Sequence, residues 1–574
     1  MSAAVAPTSG YPLVRVYGSQ EVGADSIGFS ATQDEQGILY VGSRNGVLRF
    51  DGESWRALPV PEALVVRGLD FDPDGRMWVG GFGDLGWFER PADGQARFHS
   101  LRAHLPPEGA GVGEIWHVFS DRAGGALFVA DDRILRWDGR AFTVWPMPNR
   151  RRLAAFRLGG TVYVHHLPTG LHRLDASGPT LVIPASLLGD GAVLWVEDRD
   201  SHWLLGTSKG VVRWEQGRLT PFAPEVSRYL VRHRLTQAVR LPGGRTAFGT
   251  YEGGIALMAR DGRLEGILAE EQGLPSRVVR SLLLDRGNQL WVMSTSSISR
   301  LDLVNPTRFY DQRAGLPVQP YHAIAQRGGR VVVAGERGVF ELDAGGSWFV
   351  PLKLGAEVAH DIRSTEDELY VSQSMVLLRV DGSGSARIHT SAHDVFAAVP
   401  PDRPGGDLHL FDHRSVVARS ATGATRVVVE ELPDYGRHLV VDPDGDLWIE
   451  LRLAGVRHAR PSRHGPVRAT AVPERFGLPA DLARALVRGR SDGTLLIAGQ
   501  QGAWLRSPGS STFISVAGWP ARPIAAATEF AADGTLWTVH PATDRLAAVA
   551  GRVHVDDGIP RWEARDVPGL SEIG

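Results

Sequence analysis

The segment Val441-Asp442-Pro443-Asp444-Gly445-Asp446-Leu447-Trp448-Ile449 repeats Phe71-Asp72-Pro73-Asp74-Gly75-Arg76-Met77-Trp78-Val79 almost residue for residue. Weaker copies lie between and beyond the pair. Aligned on the residue after the turn, they place Tyr40, Trp78, Phe128, Tyr163, Trp203, Phe248, Trp291, Val332, Tyr370, His409, Trp448, Leu496 and Trp537 at one position, with gaps of 35 to 50 residues. A fixed period of this size marks one supersecondary unit used many times. The turns Asp34-Glu35-Gln36-Gly37, Asp285-Arg286-Gly287-Asn288, Ser491-Asp492-Gly493-Thr494 and Ala532-Asp533-Gly534-Thr535 supply what a hairpin needs. Asp and Asn accept local backbone hydrogen bonds, and Gly supplies positive φ.

Each unit reads as four short strands. In residues 273–310 they are 280–284, 289–293, 297–301 and 307–310, separated by turn residues. Four strands in about 40 residues make the blade of a β-propeller. A stack of sandwiches would not share one motif at one period, and no helical spacing is sustained. The stretch Pro479–Arg490 reads as a loop followed by an inner strand. Propellers hold four to eight blades, so thirteen units predict two rings of six or seven blades, over 1–300 and 301–574. Tyr11–Tyr17 precedes the first unit and resembles an outermost strand that closes a ring. Val567-Pro568-Gly569-Leu570 resembles Ala314-Gly315-Leu316-Pro317, the start of a unit. The expectation is a final ring that lacks its last blade; the alternative is that the N-terminal strand completes that ring.

Composition narrows the function classes. The 68 Gly and 36 Pro suit a chain full of turns. A net charge of −3 lacks the basic footprint of a nucleic-acid binder. Without Cys there is no disulfide, thiolate metal site or Cys nucleophile. No apolar run reaches the length of a membrane span. The start, 1–10, lacks the pattern of a signal peptide and is read as a mature export terminus. Lys occurs only as Lys209 and Lys353, so Arg carries the positive charge.

The stretch from Gly273-Leu274-Pro275-Ser276 through Val279-Arg280-Ser281-Leu282 and Asp285 to Gln289-Leu290-Trp291-Val292 resembles the two-component regulator propeller repeat. Segments 315–335 and 477–499 are looser copies. The resemblance implies paired seven-bladed propellers that form the periplasmic sensor of hybrid histidine kinases or diguanylate cyclases. An immunoglobulin-like domain, a membrane helix and an output domain normally follow; 1–574 contains none of these. What the resemblance implies is a non-catalytic ligand-sensing module in the periplasm, with a cytoplasmic location as the alternative. Its expected partners are a small-molecule or oligosaccharide ligand and downstream signalling domains or a partner subunit, with a homodimer as one form of the latter. No nucleic acid, cofactor or metal is expected.

Chemical motifs are sparse. Trp78, Trp203, Trp291, Trp448 and Trp537 are expected between blades, with sugar stacking as the alternative. Asp72, Asp74, Asp442, Asp444, Asp492 and Asp533 lack the ligand ladder of an EF-hand and read as turn caps. His165 and His166 are adjacent on a strand and point to opposite faces. His409, Asp412 and His413 lack a clustered third metal ligand. Arg150-Arg151-Arg152 reads as a solvated loop. No nucleophile elbow, zincin helix or P-loop appears. The remaining signal is the loop that follows the repeat aromatic, together with the links between blades. These loops mix aromatic, charged and amide groups, as a concave ligand site does. The candidate binding residues are therefore Arg44, Asn45, Phe82, Asp84, Lys209, Tyr251, Glu252, Glu336, Arg337 and Gln500, beside Ser294–Ser296. The alternatives are a propeller enzyme acting on polysaccharide, as lyase or glycosidase, and a protein-interaction scaffold.

Overall fold

The computed structural model describes residues 10–565 apart from short stretches, the longest being 90–95, 149–152, 304–308, 400–405, 520–527, 531–534 and 542–545. Among the described residues are thirteen sheets, twelve of four strands and one of five. The chain divides into two compact units, Met1–Phe309 and Tyr310–Gly574. All thirteen aligned positions, including Val332, His409 and Leu496, fall on the second strand of a sheet. The architecture is that of all-β propellers built from four-stranded blades.

Local chemistry explains why the repeat folds this way. Asp72 Oδ1 accepts the backbone N–H groups of Asp74 and Arg76 at 3.0 and 2.9 Å, while Oδ2 accepts Trp78 Nε1–H at 3.1 Å. Asp442 does the same for Asp444, Asp446 and Trp448. Asp285 holds the Gln289 N–H and Trp291 Nε1–H, both at 2.8 Å, and Asp34 accepts from the Tyr40 hydroxyl at 3.1 Å. Turn acid and aromatic thus form one hydrogen-bonded device, which closes the hairpin and fixes the ring that packs next.

Those rings fill the spaces between blades. Trp78 clusters with Ile115, Val118 and Phe128, Trp291 with Tyr17, Leu39 and Val41, and Trp448 with Phe476, Val487 and Ile497. All three are 3% exposed or less, which leaves no face for a sugar. Trp203 is half-buried and meets Tyr163 edge-on at 5.4 Å; the Trp537 side chain and Asp533 lie outside the described residues. Burial of one such ring contributes about 1.5–3 kcal/mol or more. On the inner strand of 65–71, Gly68 has no room for a side chain. A Cβ at Gly68 would stand 2.6 Å from Val118 Cγ2 and 2.8 Å from its backbone nitrogen.

Unit 1 contains seven sheets: blade 1 (30–59), blade 2 (65–100), blade 3 (117–146), blade 4 (154–184), blade 5 (193–221), blade 6 (235–268) and blade 7 (281–302). Successive inner strands touch, and Ser281–Leu284 of blade 7 touches Ser30–Gln33 of blade 1, so the ring is closed. Blade 7 takes its outer strand from the N-terminus: Leu13–Tyr17 pairs antiparallel with Ile298–Asp302, from Leu13 opposite Asp302 to Tyr17 opposite Ile298. The strand therefore closes the first ring, which removes the alternative that it completes the last one, and it takes the fourth place in the unit that was expected for 307–310. Phe309 forms only an isolated bridge, with Tyr11. A helix, Pro224–His233, links blades 5 and 6 and buries Val226 and Leu230; Pro at its first position is preset for helix entry.

Unit 2 contains six sheets, with inner strands touching in succession from Tyr321–Arg327 to Thr528–Phe530. Leu486–Gly489 is the inner strand within 479–490. The sheet of 395–430 gains a fifth strand, Val467–Arg468, which runs parallel to Thr425–Glu430. Val567–Leu570 lies outside the described residues.

Candidate ligand-binding mouth

In unit 1, the starts of the inner strands and the loop at Tyr251 surround a cavity of about 580 Å³. Its character comes from one position per blade. Phe29, Arg67, Trp116 and Arg280 each stand five residues before a turn acid, respectively Asp34, Asp72, Asp121 and Asp285. Phe29, Trp116 and Arg280 are fixed by backbone N–H bonds to Gly42, Val129 and Met293 of the second strand. Arg67 is the extra residue of a bulge between Val66 and Gly68, as Leu194 and Thr236 are in blades 5 and 6. A bulge re-aims a side chain without shifting the rest of the ladder.

Aromatic and guanidinium groups alternate here. Arg67 lies over the Phe29 ring at 4.5 Å and the Trp116 ring at 4.4 Å, and it is ion-paired with Glu114. Arg280 lies over the other side of this cluster, 5.0 Å from the Phe29 centroid. Its Nε is buried without a hydrogen-bond partner, and among the described residues its side chain forms no ion pair. Burial, and then the fields of Arg67 and Arg44, hold its pKa below the ordinary arginine value, opposed by Tyr251. Among the described residues the lining contains no Asp or Glu.

The ten candidate residues are not brought together. Arg44 and Tyr251 lie within electrostatic range of Arg280. Phe82 is exposed and bridges Glu114, the partner of Arg67. Glu252 lies beside Tyr251 and 3.7 Å from Arg234, whose guanidinium covers the Tyr251 ring at 5.0 Å. Lys209 is turned to Asp190 at 3.2 Å. Asp84 is closed to ligand: it is 2% exposed and accepts from the Leu85 N–H and, at 2.6 Å, from the Ser100 hydroxyl. Its loop is too short to lift the carboxylate out, so it caps the turn. Glu336 and Arg337 belong to unit 2. Asn45, Gln500 and Arg150–Arg152 lie outside the described residues.

Reading the sequence for loops after the aromatic missed Phe29, Arg67, Trp116 and Arg280. Their constant offset from the turn acid was the available signal. A second concavity, of about 1160 Å³, opens on the side of the Asp turns in unit 1. It is larger and its lining is predominantly acidic: Arg157, Arg136 and Arg173 are paired with Asp70, Asp121 and Asp175 at 3.0, 3.5 and 2.9 Å, and Asp34 and Asp72 are taken up as turn caps.

The inner part of unit 2 carries a set of partly and fully buried charges. Arg363 pairs with Asp361 at 3.1 Å and donates to His438 Nδ1 at 2.7 Å; Arg488 meets Glu450 at 2.6 Å. Burial raises the Asp361 pKa and drives that of His438 well below the usual value, so neutral His438 can accept from Arg363. The histidines singled out above are structural in setting. His166 bonds Thr169 Oγ1 and Pro148 O at 2.7 and 2.8 Å, and His413 packs against Tyr435. Asp412 accepts from His389 and Ser391. Among the described residues no group of three or more His, Asp or Glu is arranged to hold a metal.

No family model and no curated protein matches the chain. Solved structures do. The extracellular domain of a protein assigned as the hybrid two-component system BT3049 from B. thetaiotaomicron superposes with a TM-score of 0.58 at 14% identity, covering 92% of this chain and 82% of that one. The extracellular domain of BT4673 from the same organism covers 97% of this chain and 79% of its own at 14% identity, with a TM-score of 0.42. The fold is therefore shared with the extracellular domain of a two-component system, the class to which the repeat motif also points.

Proposed function

We propose that this chain is the non-catalytic ligand-sensing module of a bacterial signal-transduction receptor, exposed to the periplasm or exterior. Its ligand, a small molecule or glycan, binds at the mouth of unit 1 and is reported to a downstream output domain. The observation that carries this reading is the mouth itself: aromatic faces and an unpartnered guanidinium converge on a cavity of about 580 Å³, the scale of a small-molecule site. Among the described residues the lining offers no carboxylate, whereas glycoside hydrolysis ordinarily needs two. The test is a thermal-shift screen of the full chain against glycans and small metabolites, repeated on Tyr251→Ala and Trp116→Ala. A ligand bound only by the folded state raises Tm, and both variants should lose that rise. Hits that survive both substitutions would place the site elsewhere. Turnover of a glycan hit would replace the sensor reading with an enzymatic one.

A further inference from the structure

We infer that the mouth of unit 1 is built to take a carboxylate, carried on a sugar or other ring that stacks on the aromatic faces beside Arg280; this rests on the reading of that mouth as the ligand site. Charge balance is the first argument. Arg44, Arg67 and Arg280 share one electrostatic neighbourhood, and the carboxylate answering Arg67 is Glu114. Arg280 has no such answer among the described residues. A desolvated guanidinium without a counter-charge is costly, and an anionic ligand supplies the missing acceptor.

Geometry is the second argument. Arg67 is clamped between Phe29 and Trp116 and held by Glu114, so the floor beside Arg280 is in place before a ligand arrives. Such preorganisation lowers the cost of binding. A guanidinium presents its N–H groups in a planar fork that matches a carboxylate, and it stacks readily on aromatic faces. Across the mouth, Tyr251 is 43% exposed and backed by Arg234. Its hydroxyl and ring face are available to the uncharged part of the ligand. The acidic residues that flank the mouth are each engaged: Glu252 is near Arg234, Glu114 pairs with Arg67, and Asp131 accepts Trp116 Nε1–H at 2.7 Å.

The experiment uses the full chain and ligand-detected NMR, which registers millimolar fragments. The probes are glucuronate, galacturonate and benzoate, each beside its methyl ester, with glucose as the neutral sugar. The uronates and benzoate separate a sugar acid from a simple aromatic acid. We expect at least one acid to bind, and its ester to bind about tenfold more weakly or worse, the scale of one charge-assisted hydrogen bond. Arg280→Met should abolish the acid's binding without lowering Tm, and Arg280→Lys should retain part of it. Three results would overturn the inference: equal binding of acid and ester, acid binding unchanged in Arg280→Met, or no acid bound. A neutral ligand lost in Tyr251→Ala but kept in Arg280→Met removes the carboxylate assignment and leaves the sensor site standing. No probe and no screening hit at this mouth removes both.

Discussion

Asp72 and Asp442 occupy the same position in the twin segments, yet replacing each by Asn should have unequal effects. Both carboxylates cap two backbone N–H groups and accept from the tryptophan six residues on. Asp442 also receives Arg506 Nη2 at 2.8 Å, with side-chain exposures of 0% and 6%. In the first segment the corresponding position of the next blade is Trp137, paired with Ala126 as Arg506 is with Leu495. Asn keeps the oxygen that caps the turn but turns an amide towards the tryptophan. Asp72→Asn should therefore cost about 1.5–3 kcal/mol, the value of a hydrogen bond to a charged group. Asp442→Asn also strands a buried guanidinium, which raises the cost to about 3–5 kcal/mol. For a unit of this size that is on the order of 10 °C in Tm. Arg506 lies over Trp448 and Phe513 at 5.4 and 5.7 Å, so Met in its place keeps most of the packing. The double variant Asp442→Asn/Arg506→Met should recover more than half of the loss. Unfolding followed by tryptophan fluorescence and calorimetry measures all three variants. Equal costs at the two aspartates, or no recovery in the double variant, would refute the assignment of the difference to the buried ion pair.

Three further predictions address packing, pH and the mouth. Gly436→Ala should lower the Tm of unit 2 by an overpacking cost of about 1–3 kcal/mol, because the new Cβ collides with the Phe411 ring; calorimetry that shows no change would contradict the packing. Burial, and then His166 and His172, lower the His165 pKa to about 4. Its neutral form is favoured in the fold, so its contribution is full above the unfolded value of about 6.5 and is lost as pH falls towards 4. His165→Gln should flatten the stability of unit 1 across that window, and unchanged curvature would oppose this reading. Arg280→Met should leave the Tm of unit 1 unchanged or higher, because the buried Nε it removes has no hydrogen-bond partner; a drop would show that the guanidinium is satisfied in the free protein.

The blades were legible because their signals are local. An acid, a glycine and an aromatic within ten residues specify a hairpin and the ring that packs behind it, even where His409 or Leu496 stands for the aromatic. Ring closure was less so: Leu13 meets Asp302 across nearly the whole of unit 1, and no neighbouring residue records that pairing. The loops after the aromatic include Tyr251, which lines the cavity, and Asp84, whose carboxylate turns inward to Ser100. Arg67 and Arg280 read as ordinary strand residues until the inner strands are arranged around an axis. The ionic chain through Asp361, Arg363 and His438 likewise joins residues from different blades.

The bulges on the inner strands extend beyond unit 1. In unit 2 the extra residues are His322, His360, Ala397 and Arg437, at strands Tyr321–Arg327, Ala359–Ser364, Val395–Val399 and Gly436–Val441. A residue of this kind has no cross-strand partner, so replacing it leaves the ladder's register intact. Each bulged blade therefore behaves like a dial with one free setting: its part of the lining can be rewritten one residue at a time, while the turn acid and its aromatic keep the frame unchanged. Grafting Arg67, Trp116 and Arg280 out of this ring, or other residues in, is the shortest route to a sensor of altered specificity on the same scaffold.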